Sequence, residues 1–291
     1  MSPKQLVIPL EIVFKILEFI KDDDFQSLKN TSVVCKTWQH ESQKHLFHTF
    51  KLTISDLDVD GANHPLQELG SEPLLRIRDY VDGLVLTLKG NSPGNMTTIM
   101  PADTNPQVQM LRMLLPLRRL SHFTLDGNSH SFNWEESTAV MDCIESICSG
   151  PMLEKLRIAG EIPFPKLLSL CPPSLKTLDA SFLSSATLEN SLRKGRQEPI
   201  ELEHLAMQYA KVPQITTSST LPDPTDLISY ILYPQALISL RSLKSLKVTA
   251  VRPFTRSVSK VFSTCRHSLE YVSIWAYGRS LQRILLTMTV C

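Results

Sequence analysis

Glycine is scarce, ten in 291 residues. No GxGxxG, GxxxxGK[ST] or GxSxG pattern occurs, which removes the phosphate-cradling turns and the nucleophile elbow together with the enzymes that use them. The cysteines (Cys35, Cys143, Cys148, Cys171, Cys265 and Cys291) contain no CxxC pair and no regular spacing. That pattern reads as free thiols in a reducing compartment rather than a disulfide framework or a zinc site. Charge of one sign is also missing. The net charge is +1, and the first fifty residues balance six Lys against six Asp/Glu, so no segment offers the basic excess of a nucleic-acid binder. No run reaches the roughly eighteen uncharged apolar residues of a membrane span. Glu11, Lys15 and Glu18 interrupt the N-terminal apolar run too early for a secretory signal. The expectation is an intracellular protein, cytoplasmic and/or nuclear. The same expectation includes no nucleic-acid or membrane partner, no metal, no cofactor and no enzymatic activity. With 42% hydrophobic and 20% charged residues, the chain has the balance of a folded protein.

What is present begins with residues 8–47, which read as a helical hairpin with surplus apolar surface. Pro9 suits an early helical position, where its missing N–H costs nothing. At about 100° per residue, Glu11, Lys15 and Glu18 occupy a stripe only about 60° wide. Leu10, Ile12, Val13, Phe14, Ile16, Leu17, Phe19 and Ile20 spread over roughly 220°, against the ~100° stripe of an ordinary surface helix. One neighbouring helix cannot cover that arc. Asp22-Asp23-Asp24 reads as a turn, with Asp24 capping the helix that follows.

The spacing Ile8-Pro9-x-Glu11-Ile12-x-x-x-Ile16-Leu17-x-x-Ile20, then Asp24, Leu28, Ser32-x-Val34-Cys35-Lys36-x-Trp38 and Leu46-Phe47, resembles the F-box. Ile8 stands where that family usually has Leu. The resemblance covers about fifty residues. It implies docking to the Skp adaptor of a cullin-based (SCF) ubiquitin ligase. Carried over by position, the implied docking residues are Ile8, Pro9, Leu10, Ile12, Ile16, Leu17 and Ile20, with Leu28, Val34, Cys35, Lys36 and Trp38. Pro9 and Trp38 are the expected anchors. The i, i+4, i+8 stripe Ile12, Ile16 and Ile20 could equally face the chain's own core, and spacing does not decide between the two.

Beyond the hairpin one pattern recurs: apolar, two residues, apolar, one residue, apolar. It falls at Phe47/Phe50/Leu52, Val81/Leu84/Leu86, Leu120/Phe123/Leu125 and Leu153/Leu156/Ile158, then at Leu175/Leu178/Ala180, Leu202/Leu205/Met207, Leu243/Leu246/Val248 and Leu269/Val272/Ile274. Each copy predicts one short strand. Helices are predicted over 106–117 and 134–149, with shorter ones over 164–171, 183–194, 225–240 and 255–265. Residues 56–79, 89–106 and 209–226 break the rhythm; the last two are rich in Pro, Ser, Thr, Asn and Asp and read as loops. Strand, return segment and strand again resemble a degenerate leucine-rich repeat. Only the unit ending in Asn128 has that family's Asn. The expected fold class is α/β: an F-box hairpin over 1–50, then an irregular leucine-rich-repeat-like solenoid over 51–291 with a parallel sheet on its concave face. Residues 281–291 read as an apolar helix or strand without a cap, as if the last repeat were incomplete.

Other candidate sites are weaker. Glu41, His45 and His48 lie within roughly 60° at helical spacing and could seat a metal, but they read better as a polar helix face. Cys143 and Cys148 sit about 140° apart on a helix and cannot share a zinc. Arg193-Lys194-Gly195-Arg196 reads as a solvated loop, and Trp134 and Trp275 read as core or rim. The expected function is therefore a substrate-recognition adaptor with an unknown protein substrate. The alternatives are a binding scaffold unconnected to ubiquitin, whose hairpin only caps the solenoid, and a repeat receptor for a small molecule.

Overall fold

The computed structural model describes residues 9–20, 24–55, 75–89, 105–127, 137–160, 164–181, 199–208, 238–250, 261–277 and 283–289. Three helices come first: α1 (Leu10–Phe19), α2 (Phe25–Ser32) and α3 (Lys36–Leu46). They lead into β1 (Thr49–Ser55) and β2 (Gly83–Lys89). Next come α4 (Pro106–Leu114), β3 (His122–Gly127), α5 (Thr138–Cys148), β4 (Lys155–Gly160), α6 (Phe164–Leu170) and β5 (Thr177–Ser181). The remaining strands are β6 (Ile200–Glu201), β7 (His204–Gln208), β8 (Ile238–Ser239), β9 (Ser245–Ala250), β10 (Tyr271–Tyr277) and β11 (Arg283–Thr289). Residues 261–265 are also helical. The chain is mixed α/β, and among the described residues no helix is long and apolar enough to cross a membrane.

One nine-stranded sheet runs β1-β2-β3-β4-β5-β7-β9-β10-β11 in chain order, and β6 and β8 pair separately. Every neighbouring pair from β1 to β10 is parallel, and β11 returns antiparallel to β10. The last two members of all eight predicted triplets lie on these eight parallel strands, and the register explains why they recur. Phe50, Leu84, Phe123, Leu156, Leu178, Leu205, Leu246 and Val272 form one straight row across the sheet. Leu52, Leu86, Leu125, Ile158, Ala180, Met207, Val248 and Ile274 form the next. Because side chains alternate along a strand, both rows point the same way, into one continuous core with α4, α5 and α6. The first member of each triplet closes that core just ahead of its strand.

Local chemistry sets the helix ends. The Asn105 side chain accepts hydrogen bonds from the Gln107 and Val108 N–H groups (2.9 and 3.4 Å), with Pro106 in the first turn. This helix buries Val108, Met110, Leu111 and Leu114. The predicted helix over 134–149 is seen from Thr138; Trp134, Glu135 and Glu136 lie outside the described residues. So do Asn128, 183–194, the 193–196 basic cluster and the predicted loop over 209–226. The helix predicted over 225–240 is corrected at its end. Ile238–Ser239 is a short strand parallel to Ile200–Glu201, because Ile200 and Ile238 close a corner of the core. Residues 281–291, read as helix or strand, supply β11. Within the predicted break over 56–79, residues 75–77 form a helical turn.

The opposite face of the sheet carries the intervening residues, which are mostly polar and partly exposed. Parallel sheets covered on both faces read as continuous apolar runs; this one alternates, although Ala159, Ser181 and Ser273 on the second face are buried. At the carboxyl ends of β3 and β4, Gly127 and Gly160 face each other in register. Gly160 has φ 108°, and a Cβ there would lie 2.3 Å from the Gly127 carbonyl oxygen, so only glycine fits.

Candidate docking surface

The hairpin holds a small core of its own, separate from the main one. Val13 and Leu17 of α1 meet Leu28 of α2, and Ile20, Trp38 and Leu46 pack against them. Asp24 caps α2 as predicted, its carboxylate accepting from the Ser27 N–H at 3.0 Å. Hydrogen bonds from the Ser27 hydroxyl and backbone hold that carboxyl below its ordinary pKa. A polar tie joins α2 to α3: Thr31 Oγ1 and the buried Ser42 Oγ are 2.9 Å apart. Glu41 is nearly buried, and both its oxygens accept from Lys44 Nζ (2.8 and 2.9 Å). The Glu41 carboxylate is therefore engaged by its own helix. Among the described residues no three His, Cys, Asp or Glu side chains are arranged to hold a metal.

With Val13, Leu17 and Ile20 turned inward, the seam at Ile12, Ile16 and Phe19 (again i, i+4, i+7) faces out. Ile12 is 46% exposed, Ile16 39% and Phe19 86%. Phe14 is exposed too, but about 200° round the helix from Ile12, beyond the inward seam, and the turn after α2 presents Val33 and Val34, 83% and 65% exposed. Scattered surface apolar residues need no explanation, but three on one seam of a ten-residue helix do.

The residues implied by the resemblance divide accordingly. Pro9, Ile12, Ile16, Val34, Cys35 and Lys36 are exposed. Pro9 stands one residue ahead of the helix as its N-cap, not inside it, and its carbonyl accepts from the Ile12 and Val13 N–H groups. Leu10 opens α1, and Ile8 lies outside the described residues. Leu17 and Leu28 are corrected: both are fully buried in the hairpin core and offer a partner no surface. Ile20 and Trp38 are half-buried against the same core, so Trp38 serves first as an internal strut. Phe14, Phe19 and Val33 are exposed apolar residues outside the set implied by the resemblance. The apolar arc of α1 included both phenylalanines, but two equivalent seams on one helix gave no means of telling which faced out.

Trp38→Ala is therefore expected to loosen the hairpin itself, by about 2–3 kcal/mol, below the loss for a fully buried Trp. Hydrogen exchange across residues 10–46 measures this, and Trp38→Phe should restore most of the protection.

The hairpin is tied to the sheet by short contacts. The Tyr80 hydroxyl and His40 Nδ1 are 2.8 Å apart, with the rings edge to face. The His48 carbonyl accepts from the Asp82 and Gly83 N–H groups (3.0 and 2.8 Å). Nearby, Asp82 Oδ1 accepts from Ser121 Oγ at 2.7 Å, and Ser121 Oγ lies 2.5 Å from His122 Nδ1. His48 Nδ1 is 3.8 Å from Asp82 Oδ2. The contacting groups of this cluster are partly exposed.

Along the amino-terminal edge of the sheet, Glu154, Lys176, Glu203, Lys244 and Glu270 follow one another strand by strand with alternating charge. Lys244 Nζ and Glu203 Oε2 are 2.6 Å apart. The hydrogen bond and charge of Lys244 lower the Glu203 pKa, and Glu203 raises that of Lys244. The sign follows. The Glu203 contribution is complete above the ordinary Glu range and is lost as pH falls through the depressed folded value. The Lys244 contribution is complete below the ordinary Lys range and is lost as pH rises through the raised one. Glu203→Gln is expected to flatten both limbs of a urea-midpoint-against-pH curve. Because the pair is exposed, the effect should shrink in about 1 M salt.

A scan against protein-family models found no match to this chain, and a search of curated proteins found none either.

Proposed function

We propose that this chain is the substrate-recognition adaptor of an SCF-type cullin ubiquitin ligase, with residues 1–50 acting as an F-box that docks to the Skp subunit. One observation carries the reading: α1 has two apolar seams, and its own hairpin uses only one. Fully burying a Leu, Ile or Phe side chain contributes about 1.5–3 kcal/mol. The outward seam and the Val33-Val34 turn therefore hold enough unspent surface to bind a second polypeptide, as a helix face laid into an apolar groove. The separate hairpin core supports treating these helices as a unit. Eight parallel strands in chain order, with in-register apolar rows, support a leucine-rich-repeat-like solenoid over 51–291. Its uncovered polar face would be offered to the target.

Affinity purification of the full chain with cullin neddylation inhibited tests this. A Skp subunit and a cullin should be recovered together; their absence would remove the ligase reading. A second reading has its own support, the bonds from His40 to Tyr80 and from His48 to Asp82 and Gly83, which suit a hairpin that merely caps the first strand. Under it, deleting residues 1–46 unfolds the sheet and no Skp subunit is recovered.

A further inference from the structure

The row nearest the carboxyl ends of the central strands carries two polar atoms that the fold leaves unsatisfied. Asp126 on β3, Ala159 on β4 and Ser181 on β5 stand side by side in register. Ser181 is only 2% exposed. Its Oγ and Asp126 Oδ1 are both out of contact with solvent, and neither has a hydrogen-bond partner. Native proteins pair nearly all such atoms, and those left over call for an explanation. The strand between contributes only a methyl group, followed by Gly160 pressed against Gly127. The two polar residues therefore stand on either side of the Ala159 methyl, two strand spacings apart, roughly 9.5 Å between backbones.

We infer that this row is a binding site for a guanidinium group, the side chain of an arginine on a protein target. A carboxylate oxygen needs donors, and a hydroxyl accepts as readily as it donates. A guanidinium brings five donors in a planar fork that can reach from one to the other over Ala159, whereas an ammonium is a compact point. The chain's own Arg157, two residues before Ala159 on the same strand, does not serve; its Nε lies 3.6 Å from Asp179 Oδ2. The site is independent of what the hairpin docks to.

The test titrates the full chain with N-acetyl-arginine amide, N-acetyl-lysine amide and N-acetyl-citrulline amide, following the backbone amide signals of Gly127, Gly160 and Ser181. The arginine probe should shift them saturably in the millimolar range, and the citrulline probe should leave them unchanged. Asp126→Asn should weaken arginine binding at least about tenfold, as expected for loss of a charge-assisted pair, and Ser181→Ala should weaken it less. The melting temperature of unliganded Asp126→Asn should not fall, because Oδ1 has no hydrogen bond inside the chain to lose. No saturable shift, equal binding of lysine or citrulline, or unchanged binding by Asp126→Asn would overturn the assignment. A lower melting temperature for Asp126→Asn would overturn it too, by showing that the carboxylate is already paired inside the chain.

Discussion

Phe123→Ala is expected to lower the free energy of unfolding by about 3–5 kcal/mol. Phe123 is almost fully buried, and on β3 it stands in register between Leu84 and Leu156. Truncation opens a cavity in the middle of a row whose members are fixed by the neighbouring strands and cannot easily collapse into it. In an array where each strand contacts only its neighbours, the loss is felt on both sides of β3. Thr124→Ala, one residue along on the open face, is the control and should change stability by no more than about 0.5 kcal/mol. Urea denaturation followed by circular dichroism distinguishes them. Equal effects would mean that the two faces of β3 are assigned the wrong way round.

The second large effect belongs to the hairpin. Ile12→Glu combined with Ile16→Glu is expected to leave α1 to α3 folded while weakening capture of the Skp subunit. Each change removes an apolar contact and asks the groove to accept a charge, about 2 kcal/mol or more apiece, or about thirtyfold per residue in affinity. Leu17→Ala, on the inward seam, provides the contrast. It should cost about 2–5 kcal/mol of hairpin stability and lose binding only through unfolding. Hydrogen exchange at residues 25–46 separates the two, since protection persists in the glutamate variant and falls in the alanine one. Normal capture by the glutamate variant would show that this seam is not the docking face.

The strands were legible because their signal is local. In Leu153/Leu156/Ile158 the last two members sit on alternate positions of one strand, and the same spacing appears wherever a strand joins the row. Chain order followed from the same regularity. The strand Ile238–Ser239 was not legible, because only its pairing with Ile200–Glu201 distinguishes it from the end of a helix. The orientation of α1 was hidden for a similar reason. Ile12/Ile16/Phe19 and Val13/Leu17/Ile20 are equivalent along the chain, and only contact with Leu28 and Trp38 selects the second as the inner one. Asp126 and Ser181 are 55 residues apart in sequence and become neighbours only through register with Ala159. No motif could have joined them.

The most direct measurement is hydrogen exchange on the full chain, alone and mixed with purified Skp subunit. If a second polypeptide hides the outer seam of α1, exchange should slow across residues 10–19 and around 33–36, while the strands at 83–89 and 122–127 stay unchanged. Identical exchange with and without the subunit, at concentrations well above those of a micromolar complex, would contradict the account.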